Sequence, residues 1–317
     1  MIRPSEILTR DELRRLSKSR NAPPLFNLAM RVVTHTALLW LALVVFQAGF
    51  YVIFAVLALV NAAIFQFVGY AGLSHELFHG KVFENKSLNR RLFTFTSYLM
   101  WNNPAFFEKS HGYHHAHTFA DDDAEAHSHQ PFNRLDWVFY LTVDLRMFWR
   151  RMLYLMLNSI GKTVSFRPFA LSSLGPKSEA ITKHARQILL LQLALLAGWV
   201  LLAGPVAGVI FWLTPFTATA PNRLLAASQH IGLSAYKNAG PLGHSRTLVL
   251  PRWLSGLYAG MNYHCEHHLF PGIPYYNLPE LHKNLVEKGL LENEENLSFF
   301  LTEFWIFHRE LDLSKAA

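Results

Sequence analysis

Three short stretches hold most of the chemistry available to this sequence. "HELFH" contains His75 and His79, "HGYHH" contains His111, His114 and His115, and "HCEHH" contains His264, His267 and His268. On a helix, residues at i, i+3 and i+4 share a face, so each box can aim two or three imidazoles at one point. Imidazoles crowded only to fill space would repel one another on protonation and would demand hydrogen-bond partners. A bound metal removes both problems. A catalytic zinc takes about three protein ligands and a structural zinc four, so eight histidines exceed the needs of one ion and point to two. Imidazole suits Zn, Cu, Fe and Ni alike, and the boxes alone do not choose among them.

The boxes are far apart in the chain, and only topology can bring them together. Half of the 317 residues are hydrophobic and 16% are charged, against a usual share of roughly a quarter, which leans toward a membrane protein. No Asp, Glu, Lys or Arg occurs between Arg31 and Glu76. As one helix, Val32 to Ser74 would extend about 65 Å, roughly twice a bilayer core of ~30 Å. A hairpin fits that length, with its break at "FQAGF", Phe46 to Phe50. A second uncharged run from Gln187 to Asn222 breaks at "AGPVAG", Ala203 to Gly208. The expectation is an all-α membrane protein forming one domain over 1–317. It has four transmembrane helices in two hairpins, near 32–47, 50–73, 187–203 and 206–226.

Charge orients this arrangement. Both hairpin tips are uncharged, whereas Arg10, Arg14, Arg15 and Lys18 precede the first hairpin and Arg90, Arg91, Arg146 and Arg150 lie between the two. By the positive-inside rule, segments 1–31, 75–186 and 227–317 are cytoplasmic, and all eight box histidines share that face as a cap. The net charge of +7 then has a topological role, and nothing calls for a nucleic-acid partner. The first thirty residues read as polar and mixed in charge, with no signal peptide expected. The single cysteine, Cys265, excludes an intrachain disulfide and a Cys-rich metal cage. On a helix it would point away from its histidine neighbours and pack inertly.

Two further segments are apolar but ambiguous. Leu92 to Phe107, "LFTFTSYLMWNNPAFF", is short for a span and reads as one re-entrant or interfacial helix, either walling an apolar substrate path or anchoring at the interface. From Asp136 to Leu157 apolar residues alternate with charges, the pattern of a helix lying at the membrane surface. In "HHAHTFADDDAEAH", His117, His127 and His129 fall in a loop where solvated histidines are ordinary. Asp121, Asp122, Asp123 and Glu125 read as a solvated acidic turn, or as acceptors for liganding imidazoles; Glu266 is a similar candidate.

The three boxes in this order, with the two apolar hairpins, resemble the membrane fatty acid desaturase and hydroxylase superfamily. The tail of the third box, "EHHLFPGIPYYNLPELH", is similar to acyl-lipid desaturases. The resemblance implies two iron ions held by histidine at the cytoplasmic membrane face, with O2 as co-substrate and an acyl chain or membrane lipid as substrate. It implies the eight box histidines as catalytic iron ligands, and a ninth ligand between the second and third boxes, matched here by His230 in "AASQHIGL". The sequence has no heme-binding "HPGG", no "CxxCH" and no "GxGxxG" after a strand, so an external electron donor is implied: a ferredoxin or a b-type cytochrome with its reductase, docked on the basic cytoplasmic face. A bacterial inner membrane is the expected location.

Three other readings compete. The second box with its acidic run also resembles carotenoid ketolases and hydroxylases of the same superfamily, and removal of a second hydrogen or rebound of oxygen would both suit one site. A metal transporter would place polar ligands within its spans, where this chain has only His35. A membrane zinc hydrolase would bind one zinc and need neither O2 nor reductant.

Overall fold

A computed structural model of the chain describes residues 4–306 apart from 121–122, 124, 126–133, 165–177, 235–237, 239 and 292. Of the candidate residues, Asp121, Asp122, His127 and His129 lie outside the described residues.

Uncharged sequence forms the long helices. After the short α1 (Arg10–Leu16), α2 (Ala22–Gln47) ends at Ala48, and Gly49 turns the chain with φ +82° into α3 (Tyr51–Phe65). The two helices lie antiparallel. Phe46 packs on Phe54 with ring centroids 4.8 Å apart near the turn, and His35 Nδ1 meets Asn61 Oδ1 at 2.8 Å further down. The break expected at "FQAGF" is therefore observed. After Phe65 the helical run tightens through Gln66–Val68, passes Gly69 to Gly72, and resumes as α4 (Leu73–Phe78), which carries the first box.

Three helical runs among the described residues are long and apolar enough to cross a membrane: Ala22–Gln47, Tyr51–Phe78 and Glu179–Phe216. Their side chains face outward, as at Val52 (79% exposed) and Leu201 (85%), the surface expected against lipid. Four spanning helices are expected from the sequence, and three such runs are found among the described residues, the last of them divided at Gly204. The helix expected over 206–226 stops at Trp212. A 3-10 turn at Thr214–Phe216 follows, then Ala218 with φ +50° and a new helix from Ala220. Pro215 and Pro221 lack the N–H that a continuous helix would need there.

The upstream break is where the sequence places it. In the helix Ser178–Trp212, Gly204 has φ +77° and precedes Pro205. The short arm after Pro205 lies back along the first, with the Trp212 Nε1–H donating to Gln192 O at 3.0 Å and the Trp199 and Phe211 rings 5.3 Å apart. Gly208 permits this approach, because a Cβ there would lie 2.7 Å from Trp199 O. The two uncharged turns are neighbours. Ala42, Phe54, Ala203, Ala207 and Phe211 form one buried cluster, with Phe54 and Phe211 5.9 Å apart. At the other end, buried Gln66 donates to the carbonyls of Thr214 (3.1 Å) and Thr217 (2.9 Å), where the broken helix leaves them open.

The cap is built from shorter helices. The single helix expected over 92–107 is two, α5 (Lys86–Leu99) and α6 (Pro104–Ala116). Asn103 caps α6 by accepting from the Ala105 N–H, and Pro104 opens it. The joint holds Trp101 at φ +56°, buried against Phe148, Trp212 and Phe216. The helix expected over 136–157 is likewise two, α7 (Arg134–Leu141) and α8 (Leu145–Ser159), divided where Asp144 accepts from the Met147 N–H at 3.0 Å. α8 buries Phe148 and Leu155 against α9 (Ser178–Trp212) and turns Leu145, Trp149, Leu153 and Met156 outward, a stripe suited to an interfacial position.

Beyond α10 (Ala220–Ser228) come α11 (Arg252–Leu257), α12 (His264–Leu269), which is the third box, and α13 (Leu278–Glu287). Two three-residue strands, β1 (Thr247–Val249) and β2 (Glu294–Asn296), pair in parallel and are a small departure from an all-α fold. Ile7 and Leu16 from the N-terminal segment join Leu77, Phe93, Leu278 and Leu281 in the main core. Buried Arg31 donates to the carbonyls of Phe67, Gly256 and Leu257, which fixes α11 to the membrane helices.

Gly72 sets where the first box begins. A Cβ there would lie 2.2 Å from Phe67 O, whereas one at Gly112, inside the second box, would meet nothing within 4 Å. Gly72→Ala should therefore cost about 1–3 kcal/mol and lower the melting temperature of detergent-purified protein, while Gly112→Ala should leave it nearly unchanged; equal melting of the two variants would contradict this packing.

Candidate metal centre

The boxes meet at the end of the molecule opposite the uncharged turns, and they meet as two groups. His75, His79, His111, His115 and His267 offer five ring nitrogens within 4.8 Å of one another; His114, His230, His264 and His268 offer four. Each of the nine histidines that the resemblance implies as ligands falls in one group or the other.

Helical spacing explains the division. In α6, His111 and His115 stand at i and i+4 and join the first group, while His114, at i+3, turns to the second. In α12 the pattern is inverted, with His264 and His268 in the second group and His267 in the first. Each "HxxHH" helix thus straddles both groups and ties them together. The rings of His114 and His115, one in each group, have centroids 6.0 Å apart, and His115 stacks on His268 at 4.3 Å.

The inward atoms are Nε2 nitrogens. In the first group His79 and His111 approach to 3.2 Å, His111 and His115 to 3.0 Å, and His115 and His267 to 3.2 Å. In the second, His230 and His264 approach to 2.9 Å and His264 and His268 to 3.1 Å. Metal–imidazole bonds of about 2.1 Å at right angles separate neighbouring nitrogens by about 3.0 Å. The spacing fits donors arranged around one ion in each group.

The outward nitrogens show why direct hydrogen bonding between the rings does not account for this. His230 Nδ1 lies 2.8 Å from the His244 carbonyl oxygen, which can only accept, so Nδ1 carries the proton and Nε2 presents a bare lone pair. His111 Nδ1 faces Glu125 Oε2 at 2.8 Å, His114 Nδ1 faces Asp123 Oδ2 at 2.8 Å, and His75 Nδ1 faces Glu76 Oε1 at 3.1 Å. His267 Nδ1 lies 3.3 Å from the same Glu76 oxygen, in ion-pair range without hydrogen-bond alignment. Acceptors outside and lone pairs inside is how proteins orient histidine for a metal. His75 Nε2 is buried with no hydrogen-bond partner, and a cation would complete it.

Protonation agrees with that role. Burial first, and the neighbouring imidazoles second, hold His79, His264, His267 and His268 well below the ordinary histidine range. His111 and His115 are also lowered by burial, with Glu125 opposing the shift at His111. The neutral form is the one that ligates.

Of the acidic run, Asp123 and Glu125 are the acceptors just described, and they are built in: Asp123 also takes the Phe119 and Glu125 backbone N–H groups, and Ser110 donates to Glu125. Glu266 does not serve a grouped histidine. It faces His282 Nδ1 at 2.7 Å and accepts from Thr247 Oγ1 at 2.5 Å. His117 stands apart, stacked on Tyr113 at 4.4 Å. Cys265 is buried, with Sγ 3.4 Å from Pro241 O, away from both groups. Glu76 and the His244 carbonyl were not singled out from the sequence. Glu76 had a visible signal, a carboxylate inside a histidine box; a backbone carbonyl has none.

The fatty acid desaturase family matches the chain over residues 52–295. The chain belongs to the fatty acid desaturase family. No curated protein matches the chain. As a member of the family it is a membrane-type oxidoreductase of lipid metabolism, and the family generally uses a histidine-ligated di-iron centre, acts on lipid acyl chains and draws on electron donors. The donor set fits two irons: nine imidazoles in two adjacent groups, with no thiolate among them.

Two outcomes follow for this desaturase-family site. Glu125→Gln, which weakens the acceptor behind His111, should lower metal retention roughly tenfold to a hundredfold, read as metal per chain after dialysis against a chelator, with His117→Ala unchanged. The depressed imidazoles also set an acid limit. Unfolded histidines gain protons below about pH 6.5 that the buried ones refuse, so stability is full above that value and falls as pH drops, by up to ~1.4 kcal/mol per pH unit for each group. The melting temperature of metal-free protein should hold from about pH 8 to 7 and fall from about 6.5 to 5; a flat profile would contradict burial of neutral rings.

Proposed function

We propose that the chain is an oxygen-dependent lipid oxidase, specifically a fatty acyl desaturase in which His75, His79, His111, His115 and His267 hold one iron and His114, His230, His264 and His268 hold the other. The observation that supports this best is the convergence of nine imidazoles in two adjacent groups, with an outward acceptor facing Nδ1 of His75, His111, His114 and His230. When bound, two irons with O2 and two external electrons supply the oxidising power that no side chain has for an unactivated C–H bond. The protein's own part is to orient the rings, to keep them neutral and to exclude water from a buried site.

Position favours an acyl chain. The histidine groups lie where three membrane-competent runs end, so a substrate dissolved in the bilayer can reach them without entering water. In this reading the chain is one membrane-embedded domain crossing four times, with the fourth passage made by the arm after Pro205 continued through Thr214–Phe216 and α10. The grouping of both uncharged turns in one cluster supports it. The basic segments support a cytoplasmic histidine end in this reading, with a bacterial inner membrane as the location and a ferredoxin or a b-type cytochrome with its reductase as the donor that docks there.

The test is lipid profiling of cells that express the chain or His267→Ala, grown with and without O2. The expected result is a new double bond in cellular acyl lipids that needs both O2 and His267. A new hydroxyl or keto group instead would move the chain to the hydroxylase or carotenoid branch of the superfamily, and a product formed without O2 would overturn the oxidase reading.

A further inference from the structure

The two histidine groups are assembled differently. Every member of the five-histidine group comes from a box. In the four-histidine group His230 comes from none, and follows the last turn of α10 in the turn "SQHIGL". A local sequence of that kind does not hold a ring in place by itself.

What holds it is the segment His244–Thr247. The His244 carbonyl accepts from His230 Nδ1 at 2.8 Å. Arg246 is 4% exposed, and its Nη1 donates to the carbonyls of Ser228 (2.5 Å) and Ile231 (3.0 Å), which bracket His230 on either side. Its backbone N–H donates to Gln229 O at 2.9 Å. The guanidinium lies over the Phe299 ring at 4.3 Å, which fixes its plane. Ser228 is the last residue of α10, so the cation also sits at the negative end of that helix. The same segment reaches the other source of ligands in this group. Thr247 Oγ1 donates to Glu266 on α12, and Leu248 and Asn262 exchange two bonds of 2.8 Å just before α12 begins.

We propose that Arg246 is a positioning residue for the second metal ion alone: it staples the turn that presents His230 to His264 and His268, while the five-histidine site forms without it. The proposal rests on the reading of both groups as metal sites. Arginine suits the position because one planar group serves two carbonyls and stacks on an aromatic ring, which an ammonium does less well.

The experiment uses full-length protein in detergent, stripped of metal and titrated with Co(II) against a competing chelator, with the visible Co(II) spectrum and a thermal melt recorded for each variant. Wild type should bind two ions. Arg246→Met should match His230→Ala, with one ion bound as in wild type and the other weakened roughly tenfold to a hundredfold, whereas His79→Ala should weaken the opposite ion. Arg246→Lys should weaken the second ion only, by a smaller factor, and carries the test if the methionine variant does not fold. Arg246 variants that keep both affinities, or lose both equally while melting like wild type, overturn the assignment. Wild type that binds fewer than two ions overturns the two-site reading itself, and the role of Arg246 with it.

Discussion

A neutral imidazole has one N–H and one lone pair, and the structure turns on which way each faces. At His230 the proton must point outward, because a carbonyl oxygen receives it; at His111 and His114 a carboxylate takes the same position. The lone pairs are left to converge in a dry interior, where they repel unless a cation joins them. Much of the cap serves this orientation. Asp123 receives two backbone N–H groups besides its histidine, and Glu125 receives Ser110, so the acceptors are themselves fixed.

Helix geometry then turns short boxes into a two-centre site. Because His114 and His267 each stand at i+3 beside an i, i+4 pair, α6 and α12 feed both groups. A shift of either helix would disturb both. The membrane runs supply the rigid frame, through Gln66 at the open helix end, Arg31 under α11 and the packed turns at the far end.

Much of this was legible in the sequence, for physical reasons. The boxes, the breaks at "FQAGF" and "AGPVAG" and the uncharged runs are local patterns, and each appears where the residues place it. The errors came where one polar residue competes with an apolar pattern. Asn103–Pro104 divides the stretch 92–107, Asp144 divides 136–157, and Pro215 with Pro221 ends the helix expected over 206–226. Windowed apolarity overlooks such caps. Non-local pairings were harder still. Asp123 and Glu125 were candidates, but which imidazole each would meet depends on the fold of the loop. Glu266 was a candidate acceptor for a liganding imidazole, and it faces His282 instead.

The most direct test of the account is X-ray absorption at the iron edge on protein loaded with iron in detergent, alongside metal content per chain. The account predicts two irons per chain, each with a first shell of nitrogen and oxygen only and the multiple-scattering pattern of several imidazoles at about 2.1 Å. A single metal per chain, or an iron shell without imidazole scattering, would contradict it.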